Sequence, residues 1–152
     1  SDGAQQHCGP TAERAVGGGC FVPATVFSGV SPMARIAREE IFGPVLTIMP
    51  FDSEEEALSL GNDSDYGLGA NIYTNSLANA MKAMEGIKAG TFWANDPLTD
   101  NEAGPFGGMR QSGLGRELGE EGLDAFRETK HVHLDWLQER KSYWFPYRDR
   151  PW

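Results

Sequence analysis

The chain has 152 residues and a mass of 16.6 kDa, the length of one ordinary domain that can bury a core without disulfides. Its formal net charge of −9 disfavours a nucleic-acid partner, because a polyanion would be repelled. No apolar run approaches the roughly 20 residues of a membrane helix, so we expect no membrane partner. Cys8 and Cys20 are the only cysteines, and without a signal-peptide pattern they predict free thiols and a cytoplasmic protein.

Residues 1–22 are polar and rich in glycine and show no apolar periodicity, which predicts a loop-rich N-terminal stretch. The run Thr25-Val26-Phe27 after Pro23 is typical of a short strand. A turn is expected at Ser31-Pro32.

Strands and helices alternate clearly after Pro44. The apolar, β-branched run at 45–49 predicts a buried strand. Ser53 stands three residues before Glu56, the spacing of a capping box, and predicts a helix that stops near Gly61.

The alternation continues with two more strands. They are predicted at 69–74 and 91–94, with a helix between them that is capped by Asn75 or Ser76 and ends by Gly90. This order predicts an α/β fold with a partial parallel βαβαβ sheet. Binding residues in such sheets lie beyond the carboxyl ends of the strands.

The C-terminal third begins with a glycine-rich loop at 96–115, and a loop of this length is usually functional or disordered. A helix is predicted at about 117–126. From Thr129 to Trp136, apolar residues alternate with polar ones, which predicts a strand with one apolar face and no evident partner in the chain. Residues 138–152 form an aromatic tail.

Three short patterns suggest chemistry but are weak. The glycines from Gly113 to Gly119 miss the spacing of a dinucleotide fingerprint by one residue. His131, His133 and Asp135 share a predicted strand face and could bind zinc, although two such histidines are more often plain polar residues. Neither cysteine has a base near it in sequence that would make it a nucleophile.

Two further segments carry the strongest signal, namely EEIFGPV at 39–45 and PFGGMRQSG at 105–113. From the residues alone, the first is a turn whose carboxylates could accept hydrogen bonds from ribose hydroxyls, or merely a surface Glu pair beside a core Phe. With NDSDYGLGA, GTFWAND and the continuation to GLDAF, in this order, residues 16–137 resemble the C-terminal part of an NAD(P)-dependent aldehyde dehydrogenase.

The resemblance implies specific roles. Glu40 would bind the hydroxyls of the nicotinamide ribose, with Phe42 beside it. Phe106 would be an aromatic wall of the aldehyde tunnel, and the 96–106 loop would line its entrance. Arg116 and Glu128 would form an ion pair near a subunit interface. Residues 129–137 would be an oligomerisation strand, with Val132, Leu134 and Trp136 at the interface of a homo-oligomer.

One departure from the family pattern limits what the resemblance implies about catalysis by this chain. The family's nucleophilic cysteine and general-base Glu lie well upstream of the EEIFGPV motif, and only 38 residues precede Glu39 here. We therefore expect residues 23–128 to be part of a catalytic domain that acts through a cysteine thioester, with the Cys, the base and the Rossmann domain outside this chain. The chain alone is expected to be inactive and to bind neither NAD nor NADP tightly. The alternative is a non-catalytic binding or assembly module.

The substrate is constrained only by charge. Asp100 lies with Asp96 and Glu102 in the predicted entrance loop, and this acidity would favour a cationic aldehyde. The competing interpretation is that these carboxylates only solvate the loop. No metal is expected.

Overall fold

The computed structural model describes residues 3–9, 21–137, 139, 141 and 143. Within them the chain forms three small sheets flanked by four helices. The strands are β1 (Gln5–Cys8), β2 (Thr25–Ser28), β3 (Val45–Ile48), β4 (Tyr66–Gly67), β5 (Gly69–Ile72), β6 (Thr91–Ala94) and β7 (Met109–Arg110). The helices are α1 (Arg35–Arg38), α2 (Glu54–Asn62), α3 (Leu77–Gly86) and α4 (Gly119–Asp124).

The first sheet has the order β1-β2-β3. β2 and β3 are parallel, in a register that runs from Thr25 opposite Val45 to Ser28 opposite Ile48. β1 pairs antiparallel with β2 and lies inside the stretch predicted to be loop. The prediction missed β1 because its polar side chains are all exposed, so backbone pairing rather than apolar periodicity forms it.

The second parallel pair is β5-β6, with Gly69 opposite Thr91 and Ile72 opposite Ala94. Both strands and the helix between them were predicted. The single βαβαβ sheet was wrong, because β3 pairs with β2 and not with β5 among the described strands. Alternation of elements reveals which strands exist, but not which strands are neighbours. The outer edges of β3 and β5 therefore have no partner strand in the described part of the chain.

The helix caps follow the sequence signals. Ser53 Oγ accepts a 3.1 Å hydrogen bond from the backbone N–H of Glu56 at the start of α2. Ser76, one of the two predicted caps, does the same for Asn79 at the start of α3. Lys82 on α3 then donates to Glu54 and Glu55 on α2, at 3.0 and 2.6 Å, and so ties the first turn of α2 to α3.

The segment Thr129 to Trp136 forms no strand, contrary to the prediction. Its apolar residues are exposed, with Trp136 at 82%. A strand exists only where its backbone pairs with another, and none of the described strands lies beside this segment. The alternation of apolar and polar residues is present, but no strand among the described residues pairs with this segment.

Burial is sparse. The buried residues in the described ranges are Thr25, Val30, Ala83, Gly108 and Gly122. Even β3, predicted to be a buried strand, exposes Leu46 by 58% and Ile48 by 47%. Large side chains of the kind that form the core of a domain therefore face outward in the described part of the chain.

Candidate functional site

The turn at residues 39–43, named the cofactor turn after its predicted role, follows α1 and leads into β3. Its two glutamates have different environments. Both oxygens of Glu39 accept 2.7 Å hydrogen bonds from the Arg35 guanidinium, which lowers the pKa of Glu39. Glu40 is exposed, and among the described residues its carboxylate has no hydrogen bond or ion pair. Glu40 is thus the member of the pair that remains available to an external ligand.

Phe42 stands beside this free carboxylate in an unusual conformation. Its φ is +52°, in the left-handed region that costs a non-glycine residue energy, and its ring is 92% exposed. The backbone turns sharply here, and Val45 N–H donates to the Gly43 carbonyl at 2.7 Å. Glu40 and Phe42 both line a cleft of about 490 Å³ with Val45 and Thr47. The structure therefore brings the two predicted cofactor residues together.

The later part of the predicted 96–115 loop, extended to Arg116 and named the glycine-rich loop (residues 104–116), is held by its own hydrogen bonds. Phe106 and Glu117 exchange two backbone hydrogen bonds, at 2.7 and 2.8 Å, which close its base. Arg116 Nη1 donates to the carbonyls of Gly108 and Gly115, at 2.9 and 2.8 Å. The predicted ion pair of Arg116 with Glu128 is not among the ion pairs of the described residues, where the guanidinium is directed into its own loop.

Two contacts made by glycines hold this loop against β4 and against the residue that precedes β6. Gly67 N–H donates to Ser112 Oγ at 2.9 Å, and Gly67 lies opposite Met109. Gly90 packs so tightly that a Cβ there would lie 1.7 Å from the carbonyl oxygen of Gly107. The short β4–β7 pair was not predicted, because two-residue strands leave no periodic pattern.

The carboxyl ends of β5 and β6 are joined by Asn95. Its side-chain amide donates to Thr74 O and accepts from Thr74 N–H, at 2.8 and 2.9 Å, with its own φ at +62°. Trp93 Nε1 donates to Thr99 O at 2.8 Å and so anchors the entrance loop. Asp100 is exposed beside that anchor, at the sheet end where binding residues were predicted.

A larger cavity of about 1130 Å³ lies between α2, α3 and the β4 and β5 strands. Its lining includes Glu40 at one side and Gln111 and Ser112 of the glycine-rich loop at another. The cofactor turn and the glycine-rich loop thus border one space. Neither Phe106 nor Asp100 lines either cavity.

Several residues that hold these two segments were missed. Arg38 forms a bidentate ion pair with Asp63, at 2.9 and 3.0 Å, which lowers the pKa of Asp63. Arg110 donates to the carbonyls of Asn62 and Ser64. The φ of Arg110 is +55°, and an arginine in the sequence gives no indication of such a left-handed backbone. Only the concentration of charged and turn residues in NDSD hinted at this arrangement.

Other reactive groups do not form a site. Cys8 is an exposed free thiol, and its Sγ lies 3.6 Å from the Ala24 carbonyl. Cys20 lies outside the described residues, as does most of the predicted aromatic tail. Across the described ranges no three His, Cys, Asp or Glu side chains are grouped to hold a metal ion, and no helix there is long and apolar enough to cross a membrane.

Comparison with known proteins agrees with this geometry. The sequence model of the aldehyde dehydrogenase family matches residues 1–132. An aldehyde dehydrogenase of Emericella nidulans is 46% identical over 115 residues, which are 76% of this chain and 23% of that protein. The solved NAD⁺ complex of a Bacillus cereus aldehyde dehydrogenase has a TM-score of 0.77 at 46% identity and covers 83% of this chain and 25% of that one.

A second solved structure extends the match. The Staphylococcus aureus betaine aldehyde dehydrogenase, a double mutant in complex with NAD⁺, has a TM-score of 0.82 at 37% identity and covers 95% of this chain and 29% of that one. The chain belongs to the aldehyde dehydrogenase family, and it spans about a quarter of the length of the relatives that it matches.

Proposed function

We propose that this chain is the C-terminal quarter of an NAD(P)-dependent aldehyde dehydrogenase that oxidises an aldehyde to a carboxylic acid. The observation that carries the proposal is the free, exposed carboxylate of Glu40 beside the 92% exposed ring of Phe42, in a turn whose other glutamate is already paired. The family membership of the chain and the NAD⁺ complexes of its relatives support it.

The residues of the cofactor turn fit the ribose end of a nicotinamide cofactor. A carboxylate accepts hydrogen bonds from two vicinal hydroxyls, and the adjacent ring offers an apolar face to a planar base. When bound, the cofactor supplies the hydride acceptor of the reaction. Glu40 would orient the ribose, and Phe42 would limit the freedom of the ring, so that the reacting atoms are held at the short distances that catalysis requires.

The unfinished packing supports the assignment to a larger protein. β3 and β5 have open outer edges, and the cavity of about 1130 Å³ is lined by apolar residues that include Phe51, Leu58 and Phe92. An isolated domain would close such edges and fill such a space. We propose that the rest of the parent enzyme, including its nucleophilic cysteine and general base, packs here.

The glycine-rich loop and the entrance loop would serve the aldehyde. Phe106 is fixed at the closed base of its loop and is half-buried, as a wall residue would be. Asp100 is exposed and would favour a cationic aldehyde through long-range attraction. The similarity to betaine aldehyde dehydrogenase supports a substrate of this charge.

Residues 129–137 would serve assembly into a homo-oligomer. Val132, Leu134 and Trp136 expose 60%, 62% and 82% of their surface, which is costly unless another chain covers them. An extended segment of this kind gains its hydrogen bonds by adding to the edge of a neighbour's sheet.

The decisive experiment compares Glu40→Gln with Glu39→Gln in the full-length protein that contains this chain. Glu40→Gln is expected to raise the KM for the nicotinamide cofactor by about tenfold or more, since a charge-assisted hydrogen bond contributes roughly 1.5–3 kcal/mol. Glu39→Gln is the matched control and should change this KM by less than about twofold, because Glu39 faces Arg35. Equal effects of the two variants, or no aldehyde oxidation by the native protein, would contradict the proposal.

A further inference from the structure

The cofactor turn and the glycine-rich loop are both tied to one short segment, the α2 junction, which comprises Asn62, Asp63 and Ser64. α2 ends at Asn62 with Asp63 as its C-cap. The carbonyl groups at a helix C-terminus lack partners within the helix and attract cations. This junction is therefore a natural anchor for arginine side chains that arrive from other parts of the chain.

One arm reaches the junction from the cofactor turn. Arg38 is the last residue of α1 and lies two positions before Glu40. Its guanidinium donates to both oxygens of Asp63, at 2.9 and 3.0 Å, and also to the Pro32 carbonyl at 3.1 Å. A bidentate fork fixes direction as well as distance, so the entry of the chain into the turn is held against α2.

A second arm reaches the junction from the glycine-rich loop. Arg110 Nη1 donates to the carbonyls of Asn62, at 2.7 Å, and Ser64. The next residue, Gln111, donates its backbone N–H to Asp65 O at 2.9 Å. Phe106, the predicted tunnel wall, lies on the same loop as Arg110. The end of α2 therefore also helps to hold Phe106 in position.

The junction itself is anchored to a third element. The Asn62 side chain donates to Gly86 O and accepts from Lys88 N–H, both at 2.8 Å, at the end of α3. The α2 end cannot shift without breaking these bonds. It is consequently a fixed point that contacts both segments, which are separated by 60 residues in the chain.

We propose that Arg38 and Asp63 are positioning residues for Glu40 and Phe42, and that Arg110 is the corresponding positioning residue for the loop of Phe106. The inference rests on the proposed function, because it assigns the two segments to cofactor and aldehyde. None of the three residues needs to touch either ligand. Their role is to keep the two binding segments at a constant separation across the shared cavity.

The test uses the full-length enzyme and measures two Michaelis constants separately. Arg38→Ala and Asp63→Ala are each expected to raise the KM for NAD by about three- to tenfold, with the aldehyde KM unchanged. Arg110→Ala should raise the aldehyde KM instead. The double variant Arg38→Asp with Asp63→Arg restores the ion pair with its charges reversed. It should reverse at least half of the increase in the KM for NAD that the single variants show, which a merely structural role would not produce.

Asp124→Ala is the matched control. It breaks another exposed ion pair, the one between Asp124 and Arg127. The Asp124 side chain is 57% exposed, nearly the same as the 54% of Asp63. It should alter neither constant. An active parent whose variants change both constants equally, or change neither, would overturn the inference alone, whereas a parent without aldehyde oxidation would overturn the proposed function.

Discussion

At the scale of single residues, Gly90 is the glycine of the described chain with the least room for a side chain, because it packs against the backbone of Gly107. A Cβ on Gly90 would lie 1.7 Å from a backbone oxygen, which no side-chain rotation can relieve. The strand β6 starts at the next residue, so the loop and the sheet are joined at this point. The sequence contains both glycines, but only the fold shows that they meet.

Gly90→Ala is therefore expected to destabilise the full-length protein by about 3 kcal/mol or more, which is the range of severe overpacking. Gly104→Ala is the control, since its nearest neighbour is the Asn101 side chain at 3.8 Å. The measurement is the midpoint of thermal unfolding for both variants. A Gly90→Ala protein as stable as the Gly104→Ala protein would show that the loop can move away freely.

Asp100 makes a different kind of contribution, through charge alone. Asp100→Asn in the full-length enzyme should lower kcat/KM for a trimethylammonium aldehyde by about two- to fivefold and leave an uncharged aldehyde unaffected, with the difference shrinking at high salt. Glu85→Gln removes the same charge from the exposed surface of α3 and serves as the control. An unchanged preference between the two aldehydes would mean that Asp100 only solvates its loop.

At the scale of elements, the caps and strand cores were predictable and the pairings were not. Ser53 and Ser76 cap α2 and α3 because a side-chain oxygen satisfies a free N–H within the same turn, a local event. β1, β4 and β7 were missed, since their formation depends on strands distant in sequence. The segment at 129–137 shows the converse, a clear strand pattern without a strand.

That segment makes a prediction about assembly. Leu134→Asp in the full-length protein should shift it toward monomer, because a charge would replace an apolar side chain at a covered edge. His133→Asp introduces the same charge at the neighbouring position, on the opposite side of the alternation, and should leave assembly intact. Sedimentation at micromolar concentration distinguishes the two. A native protein that sediments as a monomer would refute the assembly role outright.

At the scale of the whole molecule, the chain exposes what a complete domain would bury. Few residues in the described ranges are buried, and the edge strands of the three small sheets have no further partner strand there. We therefore expect the stability of this chain to depend on contacts with the rest of the proposed parent enzyme.

The isolated 152-residue chain is accordingly expected to show no micromolar binding of NAD or NADP by calorimetry, and no cofactor reduction with any aldehyde by absorbance. The Glu40 contact contributes roughly 1.5–3 kcal/mol, against about 8 kcal/mol for micromolar affinity. Cys8→Ser provides the check on the nucleophile. Turnover by the isolated chain that this variant abolishes would show that Cys8 is catalytic and that the chain is a complete enzyme.

The sequence by itself determined the family, the pair of motifs and the elements that form through local contacts. EEIFGPV and PFGGMRQSG are the motifs that carry the family resemblance, and they mark the two segments proposed to bind cofactor and aldehyde. The tertiary structure decided which glutamate is free, since Glu40 differs from Glu39 only by the Arg35 side chain that reaches the latter. It also decided that Arg116 closes its own loop and that Arg38, Asp63 and Arg110 meet at one helix end. Such pairings depend on the direction of long side chains across distant parts of the chain, which no local pattern encodes.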